Sequence, residues 1–158
     1  MPRRHVILAI GAAVLLAAVT PATADDAEVI TACLQQARES DQDAHTCIGR
    51  IADPCLETPD GQSTQGMVAC TDQETRVWDG LLNAEYARLL PLLKPEAAED
   101  VRKAQRIWIT SRDADCRVPY YFFDGGTITQ PIGAHCLLDH TADRAILIKS
   151  WREMAQGE

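Results

Sequence analysis

A chain of 158 residues has room for one domain with one hydrophobic core. It carries 15 lysines and arginines against 23 aspartates and glutamates, a net charge of −8 at pH 7, which argues against a nucleic-acid surface. It contains no internal repeat, no low-complexity tract and no second long apolar stretch after the first twenty residues.

Arg3 and Arg4 precede a fourteen-residue apolar run, Val6 to Val19, which is followed by Ala22-Thr23-Ala24. A positive start, an apolar run too short to span a bilayer and a small-x-small end mark a cleavable secretory signal. Residues 1–24 are therefore set apart from the fold, no membrane span is expected, and the mature protein is expected in the periplasm or outside the cell. Ile30-Thr31-Ala32-Cys33 resembles a lipoprotein box, but Asp25, Asp26 and Glu28 separate it from the apolar run. Loss of Arg3 and Arg4 takes the charge to −10. That favours encounter with a cationic partner, although acidity also serves solubility alone.

Six cysteines lie beyond this segment, at Cys33, Cys47, Cys55, Cys70, Cys116 and Cys136. An even count in a short exported chain reads as a disulfide framework. Pairing of sequence neighbours (33 with 47, 55 with 70, 116 with 136) is the simplest arrangement. It is one of fifteen possible sets, and sequence alone does not prove it. No Cys-x-x-Cys occurs and the four histidines are scattered, so no metal site and no cofactor is expected.

The elements follow in order. Residues 27–39 form a short amphipathic helix with Cys33, and a second helical stretch near 43–51 carries Cys47. Asp53-Pro54 is expected to break the chain and Pro59-Asp60-Gly61 to turn it. Ser63 or Thr64 caps a long helix reaching about Leu93, and Pro95 opens a third that runs to about Cys116. Residues 117–133, with Pro119, Gly125-Gly126, Pro131 and Gly133, read as a loop, and a last helix covers about 134–154. No segment alternates convincingly, so little or no sheet is expected. The expected fold is all-α: a small disulfide-stapled helical bundle with one long central helix, antiparallel helix neighbours and a pinned Gly-rich loop.

Helical spacing puts Met67, Cys70, Val77, Leu81, Ala84 and Leu92 on one face of the long helix, with Glu74 among them. Val101, Ala104 and Trp108 mark the face of the third helix, with Arg112 on it. Leu137, Ile148 and Trp151 mark that of the last, with Thr141 and Arg144 on it. A lone charge in such a stripe is costly, so Glu74 is expected to meet Arg112, Arg144 or both as a structural ion-pair cluster. The catalytic alternative is weaker: no Ser, Cys or His completes a nucleophile–base pair, and Glu74 and Glu85 stand about 16 Å apart by helical rise, too far for a glycosidase pair.

Between Cys116 and Cys136 lies Tyr120-Tyr121-Phe122-Phe123-Asp124, which holds four of the eight aromatic side chains. Aromatics on a rigid loop anchor interfaces, so Tyr120 to Asp124 form the candidate partner-binding loop. The other reading has the same rings folding back over the end of the core.

One order of motifs spans much of the chain. Cys55 is followed by Met67-x-x-Cys70-x-x-x-Glu74 and Trp78-Asp79-x-x-Leu82-Asn83-x-x-Tyr86. Then come Gln105-x-x-Trp108-Ile109-x-x-Arg112-Asp113-x-x-Cys116, Gly125-Gly126-Thr127, Cys136 and Thr141-x-x-Arg144. This resembles the LprI-type lysozyme-inhibitor domain, a small helical domain of bacterial envelope proteins, over about residues 55–151. The resemblance implies an LprI-like domain at 55–158, with residues 25–54 as an N-terminal helical extension carrying Cys33 and Cys47. It also implies a non-enzymatic envelope protein whose partner is a cationic protein such as lysozyme. An envelope interaction module with another protein or cell-wall partner is the alternative, and a hydrolase using Glu74 is the third.

Overall fold

The computed structural model describes residues 24–157; the expected signal segment, apart from Ala24, lies outside the described residues. Six α-helices and three short 3-10 turns, with no strand, make up the described chain. Helix α1 spans Ala24–Glu39 and leads through a 3-10 turn, Ala44–Cys47, into α2, Ala52–Leu56. A second 3-10 turn, Asp60–Gln62, precedes the long α3, Thr64–Leu89. The turn Leu90–Leu92 joins α3 to α4, Pro95–Asp115, then come the one-turn α5, Pro119–Phe122, and α6, Thr129–Gln156.

Local chemistry accounts for most boundaries. Ser63 caps α3, its hydroxyl accepting from the Gly66 N–H at 2.9 Å. Pro95 opens α4, where its missing N–H costs nothing. Gly157 closes α6 in the left-handed conformation at φ 78°.

Two expected breaks lie inside helices instead. Asp53-Pro54 sits in the first turn of α2 rather than ending a helix. The expected loop 117–133 is shorter than its composition suggests, because α6 starts at Thr129 and contains Pro131 and Gly133. In both cases the proline falls in a first turn, where backbone N–H groups have no intrahelical acceptor to lose. Gly133 packs against the end of α4: a Cβ there would make an ordinary contact, 3.4 Å from the Cys116 carbonyl oxygen.

Helix α4 has the expected antiparallel neighbour: Arg112, near its end, shares a groove with Leu137 and Thr141, early in α6, whereas Ala97 and Val101 meet Trp151 and Met154. The dominant seam is parallel. Val68 and Asp72 of α3 lie beside Gln130 and Gly133 of α6, and Leu89 lies beside Trp151. Helix α1 has the same direction, since Asp26 accepts from Gln73 at its start and Arg38 pairs with Glu153 at its end. Residues 40–62 return along the bundle between them.

The core is one body. Ile30, Leu34 and Ala37 of α1, Cys47 and Ala52, Val77, Trp78 and Leu82 of α3, and Leu138, Ala142, Ala145 and Ile148 of α6 pack together. Burial of the largest of these side chains contributes about 1.5–3 kcal/mol each. The buried stripe of α3 is wider than the expected one, since Trp78 and Leu82 are inside along with Cys70, Glu74 and Val77; Leu92, in the turn beyond the end of α3, is exposed. Three disulfides staple the bundle, Cys33–Cys47, Cys55–Cys70 and Cys116–Cys136. No described helix is long and apolar enough to cross a membrane.

Candidate functional site

The Cys116–Cys136 bridge joins the end of α4 to the first turns of α6, with Cα atoms 5.4 Å apart. Everything between these cysteines is a closed loop. Its turn is held from inside: Gly125 N–H donates to the Tyr120 carbonyl at 3.2 Å and Gly126 N–H to that of Phe123 at 2.8 Å. Asp124 and Gly125 take left-handed φ values of 47° and 71°, a conformation that Asp tolerates and Gly adopts freely. The Thr129 hydroxyl donates to the Gly126 carbonyl at 2.7 Å, and Thr129 itself is buried.

On this scaffold the aromatics face outward. Tyr121 and Phe122 are 80% and 77% exposed, Phe123 and Tyr120 47% and 43%. Val118 and Ile128 are exposed on either side of them. Tyr120 is the ring nearest the body, since its Cε2 lies 3.8 Å from where a Gly133 Cβ would stand. Tyr121 and Phe122 therefore do not cover the end of the core, whereas Tyr120 lies partly against α6. A run of large apolar side chains in water on a tethered loop is the kind of surface that marks an interaction site.

Glu74 is not paired with Arg112 or Arg144. It is fully buried, and its carboxylate is taken up by four N–H donors. Oε1 accepts from Gly49 N–H at 2.7 Å and from the Trp78 indole at 2.9 Å. Oε2 accepts from the N–H groups of Ile51 at 2.9 Å and Ala52 at 2.8 Å. The backbone supplies this cradle because Gly49, at φ 89°, bends the chain just before α2. A substituent there would meet the Asp53 carboxylate, with Cβ only 2.4 Å from its oxygen. Convergent N–H groups in such a turn form an anion nest, so no arginine is needed. A carboxylate with no exposed surface and every partner fixed cannot reach a substrate, which removes Glu74 as a hydrolytic acid or base.

The two arginines sit together but on aromatic rings. Arg112 lies 5.0 Å above the Trp108 ring and donates twice to the neighbouring Asp113. Arg144 lies 5.6 Å from the same ring and 5.2 Å from that of Trp151, a cation–π stack. Its Nε donates to Gln105 Oε1 at 2.9 Å. Burial lowers the Arg144 pKa from its ordinary value, with Tyr86 opposing the shift. The i, i+4 spacing of Glu74 and Trp78 was the readable sign of their contact; Gln105 carried no such mark.

Cys116, Cys136 and His140 bring ligand atoms within 4.8 Å of one another, but both sulfurs are spent in the disulfide, leaving one histidine. A cleft of about 510 Å³ between α1, α3 and α6 is edged by the Glu85–Arg152 and Lys149–Glu153 ion pairs.

The profile of the family described as "Lysozyme inhibitor LprI" matches residues 55–146, more than half of the chain. The chain belongs to this family. The LprI match includes the Glu74 carboxylate, the Trp108–Arg144 stack and the whole aromatic loop, and it starts after the Gly49–Ala52 cradle. An uncharacterised protein of Rhizobium meliloti (strain 1021) is 28% identical over 101 residues, covering 56% of this chain and 73% of its own. No solved structure matches the chain. LprI membership agrees with the disulfide framework in pointing to an extracytoplasmic binding protein.

Proposed function

We propose that this protein is exported, and that it inhibits a lysozyme by docking the tethered loop 118–128 against the enzyme. The observation that carries this reading is the outward presentation of Tyr121 and Phe122 on a loop closed by Cys116–Cys136. Family membership supplies the class of target. The negative charge supplies attraction to a basic enzyme, and a loop already ordered by a disulfide loses little entropy on docking. In this mechanism the chain does no chemistry. It fills a cleft and keeps substrate out, so the rings contribute most of the affinity and the acidic surface mainly speeds encounter.

The test is a titration of muramidase activity with the oxidised protein at about 50 and about 300 mM salt, where screening lengths are roughly 14 and 6 Å. Saturable inhibition near one-to-one stoichiometry that persists at high salt is expected. Tyr121→Ala with Phe122→Ala is expected to abolish it while the melting temperature stays unchanged. Inhibition that vanishes with salt, or that survives the double substitution, would overturn the docking mode. No inhibition of any lysozyme would favour an envelope module with a different partner.

A further inference from the structure

Threonines inside the helices of this protein have a habitual partner. The hydroxyls of Thr31, Thr71, Thr75 and Thr110 each donate to the carbonyl four residues earlier, at 2.8 to 3.2 Å. Thr141 departs from this pattern. It is fully buried in α6, and its Oγ1 has no hydrogen-bond partner among the described residues. One turn further on the same face, Arg144 is only 8% exposed, and its Nη2 also has no partner. These are the two buried side-chain atoms so identified among the described residues.

Both orphans are donors, and they stand one turn apart on α6. Thr141 lines a groove of about 330 Å³ between α3, α4 and α6, together with Thr75, Arg76, Asp79, Arg112 and Leu137. Arg144 shares the Trp108 ring with Arg112. No ion pair within 4 Å joins Arg144 or Arg76 to a carboxylate among the described residues, and Arg112 meets only its neighbour Asp113. A buried guanidinium without a counter-ion is costly, in a chain with a large excess of acids.

We propose that this seam is a binding site for a small carboxylate anion, with Arg144 Nη2 and Thr141 Oγ1 donating to it and Arg112 at the mouth. Arginine and hydroxyl donors suit carboxylates and phosphates alike. Asp79 on the groove wall and the net negative charge disfavour a dianion, so the monoanion is the better fit. Leu137 offers an apolar surface to its body. The site is separate from loop 118–128 and does not depend on the inhibitor reading.

The experiment follows the indole N–H resonance of Trp108 in the full oxidised protein while acetate is added at constant ionic strength, with acetamide and inorganic phosphate as controls. Saturation with acetate and none with acetamide is expected. Thr141→Val, which keeps the shape, and Arg112→Gln, which is at the edge, are each expected to weaken binding by about fivefold or more, and Arg144→Lys by about tenfold. N-acetylglycine binding more tightly than acetate would assign the site to the end of a peptide; equal binding would assign it to free small acids. No saturable shift, an equal response to acetamide, tighter binding of phosphate, or unchanged binding in folded Thr141→Val would each overturn the proposal.

Discussion

Two buried charges on facing helices are treated in opposite ways. Glu74 on α3 receives four N–H donors and has no lone pair left facing solvent. Arg144 on α6 receives two indole faces and one amide oxygen, and leaves one end of its guanidinium unspent. The difference teaches that burial alone does not reveal a charge's role. A saturated charge organises the chain around it. An unsaturated one in the same core retains a capacity for something from outside.

The sharpest way to break the contrast is Glu74→Gln. Its amide nitrogen would point at backbone donors, and a cost of about 3–5 kcal/mol is expected in urea unfolding. An effect below about 1 kcal/mol would mean that the cradle is not organising anything. The next largest effect is expected on replacing Cys33 and Cys47 together with serine, about 2–4 kcal/mol. That bridge joins α1 to the turn leading into Gly49, so hydrogen exchange should rise first at the Gly49, Ile51 and Ala52 amides.

Arg144→Met should cost much less than Glu74→Gln, within about 1.5 kcal/mol, because it removes a desolvated charge along with the stack. A loss as large as that of Glu74→Gln would erase the distinction. The smallest effect concerns Asp139, a partly buried carboxylate without an N–H cradle. Burial raises its pKa above the ordinary value, with nearby Asp143 and Glu74 adding to the rise and His135 and His140 opposing it. The folded state then holds this proton longer than the unfolded one, so stability falls as pH rises from the unfolded pKa through the folded pKa. Asp139→Asn is therefore expected to raise the melting temperature slightly at pH 7, with the gain absent below the ordinary aspartate range.

Much of the fold was legible because its cues are local. The cap at Ser63, the restart at Pro95 and the helical periodicities act within a turn or two of chain. The partner of Glu74 was not legible, because its donors are backbone amides of residues 49–52 and an amide carries no letter in a sequence. Gly49 was the one trace of that turn. The start of α6 was hidden by Pro131 and Gly133, which read as breakers, although a first turn accepts the proline and a glycine just beyond it costs a helix only about 1 kcal/mol. The parallel seam of α3 and α6 was hidden because spacing along a helix gives its face and not its neighbour's direction. Of the candidate site, the aromatic run and its bracketing cysteines were plain, whereas the outward aim of the rings depends on how α5 leaves α4.

The six cysteines pair off in sequence order, first with second, third with fourth and fifth with sixth, at separations of 14, 15 and 20 residues. Short loops close at the least entropic cost, and none of the three bridges encloses or crosses another. A chain that enters an oxidising compartment from its N-terminus would present the right partner to each thiol before a wrong one arrived. Oxidation in order of emergence and oxidation to equilibrium then lead to the same bonds, so maturation should not depend on a disulfide isomerase.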